Sequence, residues 1–201
     1  MQLYIHEDTP NRRHISMCVD VLAADGIIIY PTDTVYSYGS SILSAKAIER
    51  IQRIKNREKN KPFTIILDDF TTLHQYVRNI SNTAFKIIKK ATPGPYTFIF
   101  PASRIVPRLL LTRQKTIGIR IPDNIFAREL VTALGHPLIS TSVDSADGEY
   151  IVEPAELEKE CRNCVDIICD AGPKQSAVST IVDFSSDEMQ ILREGKGEVF
   201  F

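Results

Sequence analysis

The chain carries almost no net charge: 24 Lys and Arg against 25 Asp and Glu leave a formal −1 over 201 residues. No global field draws it to nucleic acid or membrane, so any anion site has to be local. No apolar run approaches the roughly 18 residues of a spanning helix. The first residues, Met1-Gln2-Leu3-Tyr4-Ile5-His6-Glu7-Asp8, have no basic segment leading into an apolar one. The expectation is a cytoplasmic protein with no membrane partner. Common catalytic signatures are missing too: no Ser-His-Asp or Cys-His arrangement stands out, no His/Glu metal motif, and neither G-x-G-x-x-G nor G-x-x-x-x-G-K-[ST]. With covalent and P-loop chemistry set aside, positioning and electrostatics remain, with no metal held by the protein.

Cysteine is scarce. Cys161, Cys164 and Cys169 form a tight C-x-x-C-x-x-x-x-C group, and Cys18 stands alone. A structural zinc site usually needs a second ligand pair, and His136 is the only histidine nearby in sequence; a reducing compartment disfavours a disulfide. The four are expected to be ordinary buried thiols.

A content of 43% hydrophobic residues in 201 is enough for a substantial core, and one domain over residues 1–201 is expected. No internal repeat, low-complexity tract or linker interrupts it. Apolar spacing predicts a helix over 12–24, with Gly26 as its stop, feeding a β-branched strand at 27–30 that Pro31 ends. Ser44 and Ser81 are placed to cap helices running to about Arg53 and Ala91, and a short helix is expected over 71–76. Strands are expected at 63–67, 96–100, 116–121 and 137–140. Asp123 or Asn124 can cap a helix to Leu134 that Gly135 stops, and Pro154 suits the first turn of another to about Glu160. Strands at 165–168, 178–184 and 189–192 follow closely, so the α/β sheet is expected to be mixed. The polar loop from Asp144 to Glu153, with Gly148, is a candidate flap.

Five stretches can carry chemistry. Pro31-Thr32-Asp33-Thr34-Val35-Tyr36 is a hydroxyl-rich turn at a strand's carboxyl end, either a site or a corner whose hydroxyls satisfy local backbone. Between Lys46 and Lys61 seven cations face only Glu49 and Glu58, a local excess of +5. Lys55, Arg57 and Lys61 there mix point charges with a guanidinium fork, as a triphosphate requires, though a solvated basic helix end has the same look. Arg120 in Ile117-Gly118-Ile119-Arg120-Ile121-Pro122 must reach solvent, pair with a carboxylate or face a ligand's carboxylate. Ser140-Thr141-Ser142-Val143-Asp144 repeats the hydroxyl-rich corner, and Ser179-Thr180 followed by Arg193 adds a late polar group. No residue is assigned a covalent or proton-transfer role; Lys55 and Arg57 would position reactants.

Together these motifs resemble the Sua5/YrdC family of threonylcarbamoyl-AMP synthases, over nearly the whole chain. Pro31-Thr32-Asp33-Thr34-Val35-Tyr36 is similar to the family's P-T-[DE]-T-x-Y, Lys55-Asn56-Arg57 to its K-x-R, and Pro93-Gly94-Pro95-Tyr96-Thr97 to its P-G-P-x-T. Gly118-Ile119-Arg120-Ile121-Pro122, Ser179-Thr180-Ile181-Val182-Asp183 and Ile191-Leu192-Arg193 match later signatures. The resemblance implies a YrdC-like twisted mixed β-sheet with flanking helices and a concave basic face. It implies a nucleotidyltransferase that converts threonine, bicarbonate and ATP into threonylcarbamoyl-AMP and pyrophosphate, for modification of adenosine 37 in transfer RNA. By position, Lys55, Arg57, Lys61, Thr116, Asp144 and Arg193 would hold ATP, with Mg2+ arriving on the nucleotide. Thr34, Arg120, Ser142 and Ser179 would hold threonine, Arg120 meeting its carboxylate.

The departures are specific. The family's S-x-N is Ser142-Val143-Asp144 here, a carboxylate that cannot donate when ionised and that repels a triphosphate unless a metal intervenes. Ser37-Tyr38-Gly39 stands in place of G-L-G, and Glu58 in place of proline. With Lys61-Pro62-Phe63-Thr64, these variants resemble the YciO branch. That branch implies the alternative of an RNA-binding protein, for double-stranded RNA or the ribosome, with weak or no synthase activity. The end at Phe201 is expected to leave no room for the additional Sua5 domain.

Overall fold

The computed structural model describes residues 1–55, 63–186 and 188–201. In chain order the elements are β1 (Gln2–Tyr4), α1 (Arg12–Ala23), β2 (Ile28–Tyr30), β3 (Ser37–Ser41), α2 (Ala45–Ile54) and β4 (Thr64–Ile66). The middle holds α3 (Leu73–Tyr76), α4 (Asn82–Ala91), β5 (Tyr96–Pro101), a single 3₁₀ turn at Arg108–Leu110, β6 (Thr116–Arg120) and α5 (Ile125–Leu134). β7 (Leu138–Ser142), α6 (Pro154–Cys161), β8 (Ile167–Asp170), β9 (Thr180–Asp183) and β10 (Gln190–Arg193) complete it.

Capping sets most of the helix boundaries. Asn11, Ser44, Ser81 and Asn124 each accept a hydrogen bond from a backbone N–H two or three residues on, at 2.8 to 3.1 Å. Asn124 rather than Asp123 starts α5, and Gly135 stops it at φ +77°. The first helix ends differently from the expectation: the left-handed residue is Asp25, at φ +61°, not Gly26. Gly26 serves close approach instead, because a Cβ there would lie 2.4 Å from Val21 Cγ1. Ser44 does double duty, accepting from Ala47 N at 3.0 Å and donating to Asp25 Oδ1 at 2.6 Å. Ser44→Ala should therefore cost about 1 kcal/mol. A melting temperature lowered by about 2–4 °C is the expected reading, and an unchanged one would refute the cap's contribution.

The strands form one mixed sheet in the order β1-β8-β2-β3-β7-β4-β6-β5-β9-β10. β1 and β2 lie parallel to β8, β4 to β6 and β5 to β9; the other five pairings are antiparallel. Two strands were not expected, β1 and β3. β7 runs on through Ser142, so the second hydroxyl-rich corner is strand, and β8 begins two residues later than its composition suggests.

Period-2 alternation sends the side chains to two cores. Ile27, Ile29, Phe98, Phe100, Ile117, Ile119 and Val182 join the larger one, beneath α2, α4 and α6. Ile28, Tyr30, Ile66 and Leu138 join the smaller one, beneath α1 and α5. On that second face the strands continue beyond the helices' cover. Thr64 follows the facing of Ile66, and Ser140 and Ser142 follow Leu138; Thr97, Gly118, Arg120 and Ser179 fall on the same side by alternation. Where the apolar lid stops, hydroxyls and a guanidinium begin.

Candidate functional site

That uncovered patch is a cleft of about 150 Å³ lined by Thr34, Ser37, Thr64, Thr97, Arg120, Ser140, Ser142, Ser179 and Arg193, among others. The four residues expected to hold threonine line one cavity, and Arg193 joins them. Register brings them together: Thr64 lies opposite both Gly118 and Ser140, and Ser37 opposite Ser142. A side chain at Gly118 would press on Thr64 Oγ1 at 2.9 Å and Thr97 Cγ2 at 3.3 Å, so its absence keeps the floor open.

Arg120 is 6% exposed and is anchored at one end. Its Nη2 forms an ion pair with Asp33 Oδ1 and donates to Thr34 Oγ1 at 2.8 Å, while its Nε is buried without a partner among the described residues. The unmet donor marks where an acceptor is wanted. Asp33 is in turn fixed by Asp123 N on Oδ2 at 3.1 Å and by Lys196 Nζ on its backbone carbonyl at 2.6 Å. Thr32 plays the local role considered for the whole turn: its hydroxyl donates to the Val35 carbonyl at 2.8 Å and accepts from Thr34 N.

Across the cleft Ser179 Oγ lies 2.8 Å from Thr97 Oγ1 and accepts from Arg193 Nη2 at 3.2 Å, with Arg193 Nε on the Ser179 carbonyl. Burial pulls the Arg193 pKa below its usual value; Tyr150 opposes that shift and the like charge of Arg120 adds to it. The guanidinium remains a cation at neutral pH. Tyr150 belongs to the loop expected as a flap, which folds back through a bridge between Asp144 and Tyr150 and turns at Gly148, φ +86°. Behind Ser140 the Tyr30 phenol is fully buried. Burial pushes its pKa up to about 12, with Ser140 and Arg120 pulling the other way, so it adds no charge to the cleft.

The expected ATP residues are more dispersed. Thr116 shares the Arg120 face of β6 but sits four residues away, about 13 Å at strand rise, with its hydroxyl 2.8 Å from that of Thr112. Lys55 and Asp144 form an ion pair with each other, outside the cleft lining. Arg57 and Lys61 lie outside the described residues. The cysteines separate: Cys18 and Cys169 sulfurs are 3.6 Å apart, and Cys161 sits 3.3 Å from Tyr38 Oη. Burial pushes the Cys161 and Cys169 thiols up. Among the described residues no helix is long and apolar enough to cross a membrane.

Sequence reasoning missed Asp33 as the partner of Arg120, and missed Thr64 and Thr97. Asp33 lay within the quoted motif, and a buried arginine calls for a carboxylate. Thr97 closes the Pro93–Thr97 motif and Thr64 the Lys61–Thr64 one, with no role expected of either; strand register carries them into the cleft.

The family model for Sua5/YciO/YrdC, described as telomere recombination, matches residues 20–195. YciO of Escherichia coli (strain K12) is 38% identical over 198 residues, covering 98% of this chain and 96% of the relative. A putative threonylcarbamoyl-AMP synthase of Methanocaldococcus jannaschii is 36% identical over 170 residues, 84% of this chain and 79% of that protein. The crystal structure of E. coli YciO superposes with a TM-score of 0.95 at 37% identity, covering 100% of this chain and 98% of that one. Pyrococcus abyssi Sua5 complexed with L-threonine shares the fold, TM-score 0.90 at 23% identity; this chain covers 57% of its length. With a model match across most of the sequence and relatives above 30% identity along almost their full length, the chain belongs to the Sua5/YciO/YrdC family.

Proposed function

We propose that the cleft binds L-threonine and that the chain is a nucleotidyltransferase of the L-threonylcarbamoyladenylate synthase type. The observation that carries this reading is the convergence of Thr34, Arg120, Ser142 and Ser179, with Arg193, on one small polar cavity. Relatives at 36% and 32% identity bear the synthase name, and a Sua5 of the same fold was solved with L-threonine.

In this reaction the threonine amine attacks bicarbonate, forming a C–N bond and releasing water. A carbamate oxygen then attacks the α-phosphorus of ATP; the bond to the bridging oxygen breaks and pyrophosphate leaves. Arg120 receives the amino acid's carboxylate on its unmet Nε, and Thr34, Ser142 and Ser179 offer hydroxyls to its polar groups. Arg193 and Lys55 face the phosphates, Arg57 and Lys61 would add to them, and Thr116 marks the far end of the nucleotide. Mg2+ entering with ATP would neutralise part of the triphosphate charge. The protein's contribution is orientation and electrostatics. Incubation with ATP, threonine, bicarbonate and Mg2+ should release pyrophosphate and give the adenylate by mass spectrometry; a product independent of threonine, or none, overturns the reading.

The Lys55–Asp144 pair favours a second reading, since it removes one cation from the nucleotide's reach. Under it the chain is a YciO-like protein with weak or no synthase activity that binds RNA on a basic concave face. RNA binding that persists in Arg120→Ala supports it; ATP affinity that collapses in Lys55→Ala supports the first.

A further inference from the structure

β1, β8 and β2 run parallel side by side, so their three carboxyl ends open together. In open α/β sheets ligands sit in the crevice beyond such ends. Here the loops leaving the three strands and the start of α5 enclose a second cavity of about 460 Å³, against about 150 Å³ for the cleft. Thr34 lines both, and its turn stands between them.

The walls are held in place by the chain itself. Glu7, after β1, accepts from Asn124 Nδ2 at the head of α5 and pairs with Lys174, after β8. Asp33, after β2, accepts from Asp123 N at 3.1 Å, and its carbonyl takes Lys196 Nζ at 2.6 Å. Seven charged side chains line the cavity. Glu7 and Lys174 neutralise each other, and Asp33 is matched by Arg120. That leaves two carboxylates, Asp8 and Asp123, and two cations, Arg128 and Lys196; none of the four forms an ion pair among the described residues. Arg128 Nε is buried with no hydrogen-bond partner among them, a donor that wants an acceptor.

We infer that this cavity binds a zwitterion of the size of a short peptide, its carboxylate on Arg128 and Lys196 and its ammonium on Asp8 and Asp123. Unmatched charge of both signs selects such a ligand over a polyphosphate, which the two carboxylates would repel. No aromatic ring lines the cavity to stack a base, and Ile125 and Pro173 are its only apolar side chains among the described residues, too few for a greasy ligand. No three carboxylates gather there as a metal ion needs, among the described residues. The volume, about three times that of the cleft, leaves room for more than one amino acid. In an extended tripeptide the charged ends lie roughly 10 Å apart, far enough to meet separate partners. Nothing here depends on what the cleft binds.

The test is calorimetry on the full chain with triglycine, which should bind saturably at one per chain. Arg128→Met and Asp123→Asn should each weaken it about tenfold. Each end of the ligand has its own control in the parent protein, whatever the variants do to folding. Triglycine amide, which lacks the carboxylate, and N-acetyltriglycine, which lacks the ammonium, should each bind about tenfold more weakly than triglycine. The amide should be indifferent to Arg128→Met and the acetylated peptide to Asp123→Asn. Saturating L-threonine should leave triglycine bound. The inference is overturned if millimolar triglycine shows no saturable binding, if both variants bind it as the parent does, or if threonine displaces it one for one. N-acetyltriglycine binding as tightly as triglycine would overturn it too, by making the cavity a simple anion site.

Discussion

Asp33→Ala should cost about 3–5 kcal/mol of stability, because it strips a buried arginine of its counter-ion. Arg120 and Asp33 side chains are 7% and 8% exposed, so solvent cannot compensate for the lost charge without structural rearrangement. Asp123 N loses its acceptor as well. For a chain of this length the loss corresponds to a melting temperature lower by roughly 6–20 °C. Asp33→Asn, which keeps an acceptor for Arg120, should fall between the two. Free L-threonine should rescue Asp33→Ala more than it stabilises the parent, because its carboxylate can take the vacated place on Arg120. At a hundred times its Kd a ligand restores about 2.7 kcal/mol. Threoninol, which has no carboxylate, should not rescue. A loss under about 1 kcal/mol would mean that the pair contributes little, and equal rescue by threoninol would detach Arg120 from carboxylate binding.

The Arg120–Asp33 pair joins residues 87 apart in the chain, and such long-range contacts are what the sequence leaves illegible. Helices announced themselves wherever a capping side chain and an apolar stripe coincided, as in α4 and α5, because those signals are local. β3 did not: Ser37-Tyr38-Gly39-Ser40-Ser41 has little β propensity, and it is strand because β2 and β7 pair with both its edges. β1 is three residues, too short to read as a strand alone, held extended by parallel pairing with β8. The same split holds at the site. Thr34, Arg120, Ser142 and Ser179, which line the cleft, stand in motifs, and Arg120 is also the anomaly of a charge in an apolar strand. Thr64 and Thr97 also stand in motifs, but their place in the cleft follows from β4 sitting between β7 and β6, and β5 beside β9, which no stretch of the sequence encodes by itself. Gly26 failed for a further reason: a glycine near a helix end can serve packing while its neighbour Asp25 takes the left-handed turn.

Asp144 is where the chain's chemistry is most open to change by one atom. Its carboxylate holds Lys55, so a triphosphate brought to Lys55 meets a negative charge in addition to the cation. Two unit charges about 4 Å apart interact by roughly 4 kcal/mol at an effective dielectric constant of 20. Asp144 is 36% exposed, and screening cuts the term to about 1–2 kcal/mol. Asp144→Asn removes the repulsion, frees Lys55 and supplies an amide N–H that can donate to a phosphate. ATP should then bind about tenfold more tightly by calorimetry, and threonine-dependent pyrophosphate release should rise with it. Lys55→Ala should move the opposite way, leaving Asp144 unpaired beside the nucleotide. Mg2+ separates the two roles open to the carboxylate. If Asp144 only repels, the advantage of Asp144→Asn is largest without Mg2+, where the triphosphate carries its full charge. If Asp144→Asn instead weakens ATP binding, and only when Mg2+ is present, the carboxylate holds the nucleotide's metal, and the departure from the family's amide is a gain of a ligand instead of the loss of a donor.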